Sequence, residues 1–440
     1  MKIFDFLRKK SRSVGSVLFR GSLPPRLENF EFLEKWGIAL EPRRADADFV
    51  WAARARHPQW GQADLYCPRQ ILSPPPEFVK LDPWLTPAEM EAVTGCASSV
   101  EVVMQHEQEN VLRERKSALR MMRAVMGDDG VCVFDDGSQR FWSRPALEEE
   151  LAHDAALDIE SLFILHAVRP DGDDDAPVYW LHSHGLAELG YFDFDILEPS
   201  SDVVFGAASG LTRAIAFGIV EGWIQADSPH IQIAQPDGVV RLVPADVFQR
   251  RAPARFTALR DDASDGHSAK RSVLCNPAPR FFAKLFGDKI EPSRWLREPI
   301  AENSIIHFSA TATNLMAQRA RGSYSLFRCY AEEFAELQVK AMFKLGLQID
   351  GGEAGAREHL WFEATRLDES TITGTLLNAP WHIASLAQGQ TYTHDLEVLS
   401  DWCLRTPAGS ITPVEGMAAR TLRANRDEIL QTIRASESGR

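Results

Sequence analysis

His182 and His184 carry the clearest chemistry in this sequence. Side chains alternate along an extended segment, so two histidines two positions apart project their imidazoles from one face, as a pair of metal ligands requires. Glu160 could join them as a further ligand or as a base, but only in one hairpin register. If Leu162 pairs with His182, Glu160 lies opposite His184, and a slip of one residue turns it to the other face. The plainer reading is that both histidines are hydrogen-bonded within a strand end beside Gly185, since fragments of metal motifs occur by chance.

A second group consists of His359, Trp361, Trp381, Asp401 and Trp402. Tryptophan brings a large apolar area and one donor that needs a partner, so the plain reading is the core of a small β module. The sharper one is a groove for a peptide or small ligand. Asp401 would cap a turn or accept from an indole N–H. Glu358 and Glu363 are too loosely related to form a glycosidase pair. No phosphate-binding glycine loop and no G-x-S-x-G elbow is found, which lowers the nucleotide-binding and serine-hydrolase readings.

The elements that would position these residues follow from local signals. Thr86, Pro87 and Glu89 make a capping box that starts a helix, and Ser143 with Pro145 starts another. A strand is expected at 98–104, a helix over 107–126, a strand at 131–134, a hairpin from 162–168 and 178–184 around the acidic turn 171–175, a strand at 192–197 and a helix over 206–220. The proline-rich stretch 72–76 reads as a rigid connector, and 261–266 as an exposed loop. Further on, 358–366 and 371–377 form a hairpin, and short extended pieces at 391–394 and 402–404 suggest a small open barrel or a strongly curved sheet. Thr412 and Glu415 form another capping box ahead of a last helix. The fold class is α+β with antiparallel strands, divided into a basic flexible leader (1–26), an N-terminal α+β domain (27–225), a linker or insertion (226–300) and a C-terminal domain (301–440).

Composition narrows the function classes. A net charge of −14 with a pI near 5.4 argues against a general nucleic-acid binder and suits a basic protein partner. The six cysteines are scattered singly, as expected of reduced thiols in the cytoplasm. The first residues place their basic cluster after the apolar ones, the reverse of a secretory signal, and no stable membrane insertion is expected.

Three resemblances follow from spaced residues. Glu358-His359-Leu360-Trp361, Gly374 with Asn378 and Pro380, Gln388-Gly389 and Asp401-Trp402 occur in the order of the YegJ-like family of uncharacterised domains, and the segment 341–346 resembles its opening strand. The run from Trp180 to Leu186 resembles the H-T-H-G-L signature of another uncharacterised bacterial domain. Glu188 stands where that signature has an arginine, while Asp193-Phe194-Asp195 keeps its acid–apolar–acid triplet. Finally, Asp195 falls eleven residues after His184, which resembles the H-x-H…D part of the JAMM-type zinc isopeptidase motif, although Phe192 stands where that motif has serine. That last resemblance implies zinc held by His182, His184 and Asp195, with Glu160 as the base.

Together these give an expectation of a cytoplasmic protein-interaction or accessory factor, of the kind an acidic immunity protein is toward a basic toxin. Beside it stand a zinc-dependent hydrolase and a small-ligand or peptide sensor. Zinc is the one cofactor the residues would admit.

Overall fold

The computed structural model describes residues 12–21, 25–71, 79–80, 82, 84–106, 110–169, 177–201, 203, 208–235, 238–259, 270–277, 289–298, 305–337, 339–353 and 355–438. Its strands fall into three sheets that follow one another along the chain, so the α+β class with antiparallel pairing holds.

The first sheet holds β1 (Arg12–Phe19), β2 (Ala39–Arg43), β3 (Phe49–His57), β4 (Gly61–Pro68), β5 (Ser98–Gln105), β6 (Gly130–Asp135) and β7 (Arg140–Ser143), in the order β2-β3-β4-β5-β1-β6-β7. Residues 12–19 were expected in a flexible leader. Instead β1 is an interior strand between β5 and β6, because its last five residues, Gly15, Ser16, Val17, Leu18 and Phe19, are buried on both faces. Residues 1–11 lie outside the described residues.

Helices of eight or more residues are numbered in chain order. The expected capping box at Thr86 forms: Thr86 Oγ1 accepts from the Glu89 amide at 3.3 Å while Glu89 Oε2 accepts from the Thr86 amide at 2.8 Å, opening α1 (Pro87–Thr94). Ser143 likewise caps α3 (Arg144–Leu151). Between them, α2 (Val111–Met126) starts at Asn110, whose side chain accepts from the Arg113 amide at 3.2 Å.

The second sheet is built from β8 (Ile164–Val168), β9 (Trp180–His184), β10 (Asp193–Leu197), β11 (Ile231–Gln235), β12 (Gly238–Pro244), β13 (Arg271–Cys275) and β14 (Ile305–Ile306), ordered β14-β11-β12-β13-β10-β9-β8. Two expectations change here. The stretch 226–300, read as a linker, supplies β11, β12 and β13 to the interior of this sheet. β8 begins at Ile164, since Ile159–Leu162 winds into a 3-10 turn capped by Asp158. The helix α4 (Ala208–Val220) matches the expected one, and the first two sheets share one core through Val17, Leu119, Phe194, Leu211 and Leu242.

The third sheet has a core of its own. It is the open six-stranded array β18-β17-β16-β15-β19-β20, with β15 (Lys340–Gln348), β16 (Arg357–Leu367), β17 (Thr371–Leu376), β18 (Thr391–Asp395), β19 (Leu399–Thr406) and β20 (Gly409–Ile411). Helices α5 (Ala310–Gly322) and α6 (Tyr324–Glu333) precede it, and α7 (Met417–Ala424) and α8 (Arg426–Ser438) follow. Phe327, Phe343, Phe362 and Trp402 fill this core. The last helices begin later than the Thr412 box predicted: Thr412 Oγ1 accepts from the Glu415 amide at 3.1 Å, but the turn carries on through Gly416 before α7 starts. No helix among the described residues is long and apolar enough to cross a membrane. The segments 72–76, 171–175 and 261–266 lie outside the described residues.

Candidate metal centre

Strands β8 and β9 pair antiparallel with His166 opposite His182 and Ile164 opposite His184. Directly paired residues share a face, and His166 is therefore next to His182 and diagonal to His184. The three imidazoles offer ligand nitrogens that all lie within 4.8 Å of one another. Their ring centres are 4.8 to 5.3 Å apart. Tetrahedral ligands about 2.0–2.1 Å from a zinc ion sit roughly 3.3 Å from each other, so modest ring rotations would close the set. β8 is an edge strand, which leaves His166 and His184 half-buried while His182 is enclosed.

The surroundings pack the His182 ring and fix the turn after His184. The Trp180 ring stands edge-on to His182 with centres 4.2 Å apart. After His184 the chain turns at Gly185, where φ is +119° and a Cβ would lie 2.3 Å from the Leu162 carbonyl oxygen, so only glycine fits. Asp193 holds the same turn, accepting from the Ser183 hydroxyl at 2.8 Å and from the Leu186 and Ala187 amides at 3.3 and 3.2 Å. Burial pushes the Asp193 carboxyl up to about 6 despite the pull of Arg271 and these hydrogen bonds.

Asp195 is directly opposite His182 on β10, as a shared site would need. Its Oδ1, however, accepts from Arg271 Nη1 at 2.6 Å, and both side chains are fully enclosed. The parallel pairing of β10 with β13 brings that arginine in from 76 residues away. Glu160 is not opposite His184: the register that pairs Leu162 with His182 does not occur, and Glu160 lies in the 3-10 turn, its amide donating to Asp158 Oδ1 at 3.0 Å. The histidine of this cluster that the sequence reading missed is His166. Period-two alternation marks it as an outward position of an expected strand, but only the register sets it against His182.

The second group comes together only in part: His359, Trp361 and Asp401 share a face, while Trp402 and Trp381 lie elsewhere. Lys344 pairs with Trp361 on one side and Asp401 on the other, so these three share a face, and the Lys344 ammonium is 5.3 Å from the Trp361 ring centre. His359 lies on that face too, its Nδ1 3.0 Å from Ser400 Oγ, and burial with Lys344 and Arg357 nearby lowers its pKa. Burial raises the Asp401 pKa, and its carboxylate accepts from the Trp402 amide at 2.9 Å. Trp402 points the other way, into the core, stacked on Phe327 at 5.0 Å with its indole N–H donating to Ser323 at 3.0 Å. Trp381 is 82% exposed on a loop held by Glu358, which accepts from its amide at 2.7 Å.

One further constellation had no sequence signal. Ser13 Oγ meets His106 Nε2, and His106 Nδ1 lies 3.3 Å from Glu114 Oε2, an arrangement of serine, histidine and carboxylate drawn from β1, the end of β5 and α2. Ser13 is fully buried, Arg115 donates to its oxygen at 2.5 Å, and burial with Arg115 beside it holds the His106 pKa down to about 4. A nucleophile so enclosed has no approach for a substrate, and the group acts as a polar tie between β1 and α2.

A family model described as "Uncharacterized protein conserved in bacteria (DUF2314)" matches residues 311–429, the span of the third sheet and its helices. No curated protein and no solved structure matches the chain. The matched segment is thus similar to an uncharacterised bacterial family, and the three-histidine cluster lies outside it.

Proposed function

We propose that this protein binds a zinc-class divalent ion through His166, His182 and His184. The single observation that carries the reading is the convergence of three imidazoles within 4.8 Å at a sheet edge. Nitrogen donors suit zinc and its neighbours in the first transition row, and three protein ligands leave a coordination position open. An ion held there would supply Lewis acidity and an activated water, the chemistry of a zinc-dependent hydrolase. Asp195 serves this site as an orienting neighbour, its charge spent on Arg271, and His166 takes the third ligand position.

The test is metal content after zinc loading and desalting. The wild-type chain retains about one zinc, and His166→Ala and His182→Ala lose it while keeping the wild-type circular dichroism. Zinc absent from the wild type, or retained by both variants, would overturn the assignment.

A second reading, partner binding by an accessory protein, draws on the net charge of −14 and on Trp381, exposed at 82%. Association with a basic partner would weaken steeply with salt. Salt-independent binding would remove it. The groove reading has less support, because Trp402 and Trp361 lie on opposite faces of the third sheet.

A further inference from the structure

A cavity of about 40 Å³ lies at the seam between the first sheet and the family-matched segment, lined by β7 and α3 on one side and by α5, β19 and the turn before α7 on the other. Its most unusual lining group is Arg140. Only 7% exposed, this arginine has its guanidinium stacked between Trp84 and Trp142, 4.1 and 3.9 Å from the ring centres. Among the described residues its Nε and Nη1 have no hydrogen-bond partner. Trp142 Nε1 and His153 Nδ1, on the same cavity wall, have none either.

Arginine and indole nitrogens can only donate, so these groups of the wall are donors that lack an acceptor. The carboxylates that share the cavity are already engaged. Glu150 takes both Arg319 and Lys116, Glu149 takes Arg420 and Arg423, and Glu415 accepts from the Met417 amide. A buried guanidinium with unmet donors has lost its hydration without replacement, a loss that an acceptor arriving from outside would recover. One water needs about 10–15 Å³ of such space, so the cavity has room for one oxyanion group.

We infer that this cavity is a binding site for one small oxyanion, a carboxylate or a phosphate group, held by Arg140 and Trp142 with His153 beside them. Because α5 and the turn before α7 close one wall, the bound anion would tie the matched segment to the first sheet.

The test is isothermal titration of the full chain with inorganic phosphate and with acetate, each against chloride at equal ionic strength. The expected result is saturable binding of one of the two oxyanions and none of chloride; phosphate alone would identify a phosphoryl-bearing ligand, acetate alone a carboxylate. Arg140→Met keeps an apolar stem between the two tryptophans and abolishes binding. Trp142→Phe keeps the stack, removes one donor and weakens binding about tenfold, the worth of one charge-assisted hydrogen bond. Equal heats for chloride and both oxyanions would mean that the cavity holds water only, and unchanged affinity in Trp142→Phe would mean that the anion binds elsewhere; either result overturns the proposal, including in the event that Arg140→Met does not fold.

Discussion

Arg319 on α5 and Glu150 on α3 form a bidentate ion pair across 169 residues of sequence, Nη1 to Oε1 at 3.0 Å and Nη2 to Oε2, with both side chains about 5% exposed. Lys116 Nζ adds a second cation 3.2 Å from the same carboxylate, while Arg319 also donates to the carbonyls of Pro413 and Ala156 at 2.9 Å. The pair joins the family-matched segment to the rest of the chain. Burial works against the Glu150 carboxylate, but Arg319 and Lys116 outweigh it and hold its pKa at about 2.

Glu150→Gln leaves two buried cations without a counter-ion and should destabilise the protein by about 3–5 kcal/mol in urea unfolding at neutral pH. The wild-type contribution has a defined pH window. The folded pKa is below the ordinary 4.5, so the stabilisation is complete above about 4.5 and is lost as pH falls toward 2. A Glu150→Gln difference that persists undiminished at pH 2.5 would show that the ion pair is not its source.

Glu101 behaves in the opposite sense. Burial pushes its carboxyl up to about 7 even though Ser16 donates to it at 2.7 Å. The folded state thus holds the proton more tightly than the unfolded one, and stability from this group falls as pH rises from about 4.5 through 7. Glu101→Gln should raise stability at pH 8 by on the order of 1–3 kcal/mol and show no gain at pH 4, as read by thermal melting at the two pH values.

At the proposed metal centre, Asp195→Asn separates the ligand role from the orienting one. It should retain zinc while losing several kcal/mol of stability, because Arg271 is then left buried without its partner. His166→Ala should lose the zinc-dependent rise in melting temperature, worth about 2.7 kcal/mol at a hundredfold excess over the dissociation constant, with little change in the metal-free protein. Loss of zinc in Asp195→Asn with retention in His166→Ala would return the site to the aspartate set.

Trp402→Ala should cost about 3–5 kcal/mol through the cavity it leaves beside Phe327 and Ser323. Trp381→Ala should change stability by less than about 0.5 kcal/mol, as expected at an exposed site. Urea denaturation of both variants checks the pair, and similar costs for the two would contradict their placement on the core and the surface.

Features that depend on a few consecutive residues could be read without the fold. The Thr86–Glu89 box and the Ser143 cap were legible because a cap is a local hydrogen bond, and His182 and His184 were legible as a same-face pair because strand alternation is local. Helices α2 and α4 and the hairpin of β16 and β17 also followed from their periodicity. The tertiary structure decided whatever depends on register and strand order. His166 joins the pair because β8 meets β9 in one of several possible registers, Asp195 is drawn to Arg271 because β13 pairs in parallel beside β10, and Trp402 parts from Trp361 because each strand's facing is set by the core it covers. Strands β1, β11, β12 and β13 fell in stretches read as leader (1–26) and linker (226–300) because a short strand carries little signal of its own. Its place in the interior of a sheet comes from burial against elements far away in the chain, which no local window contains.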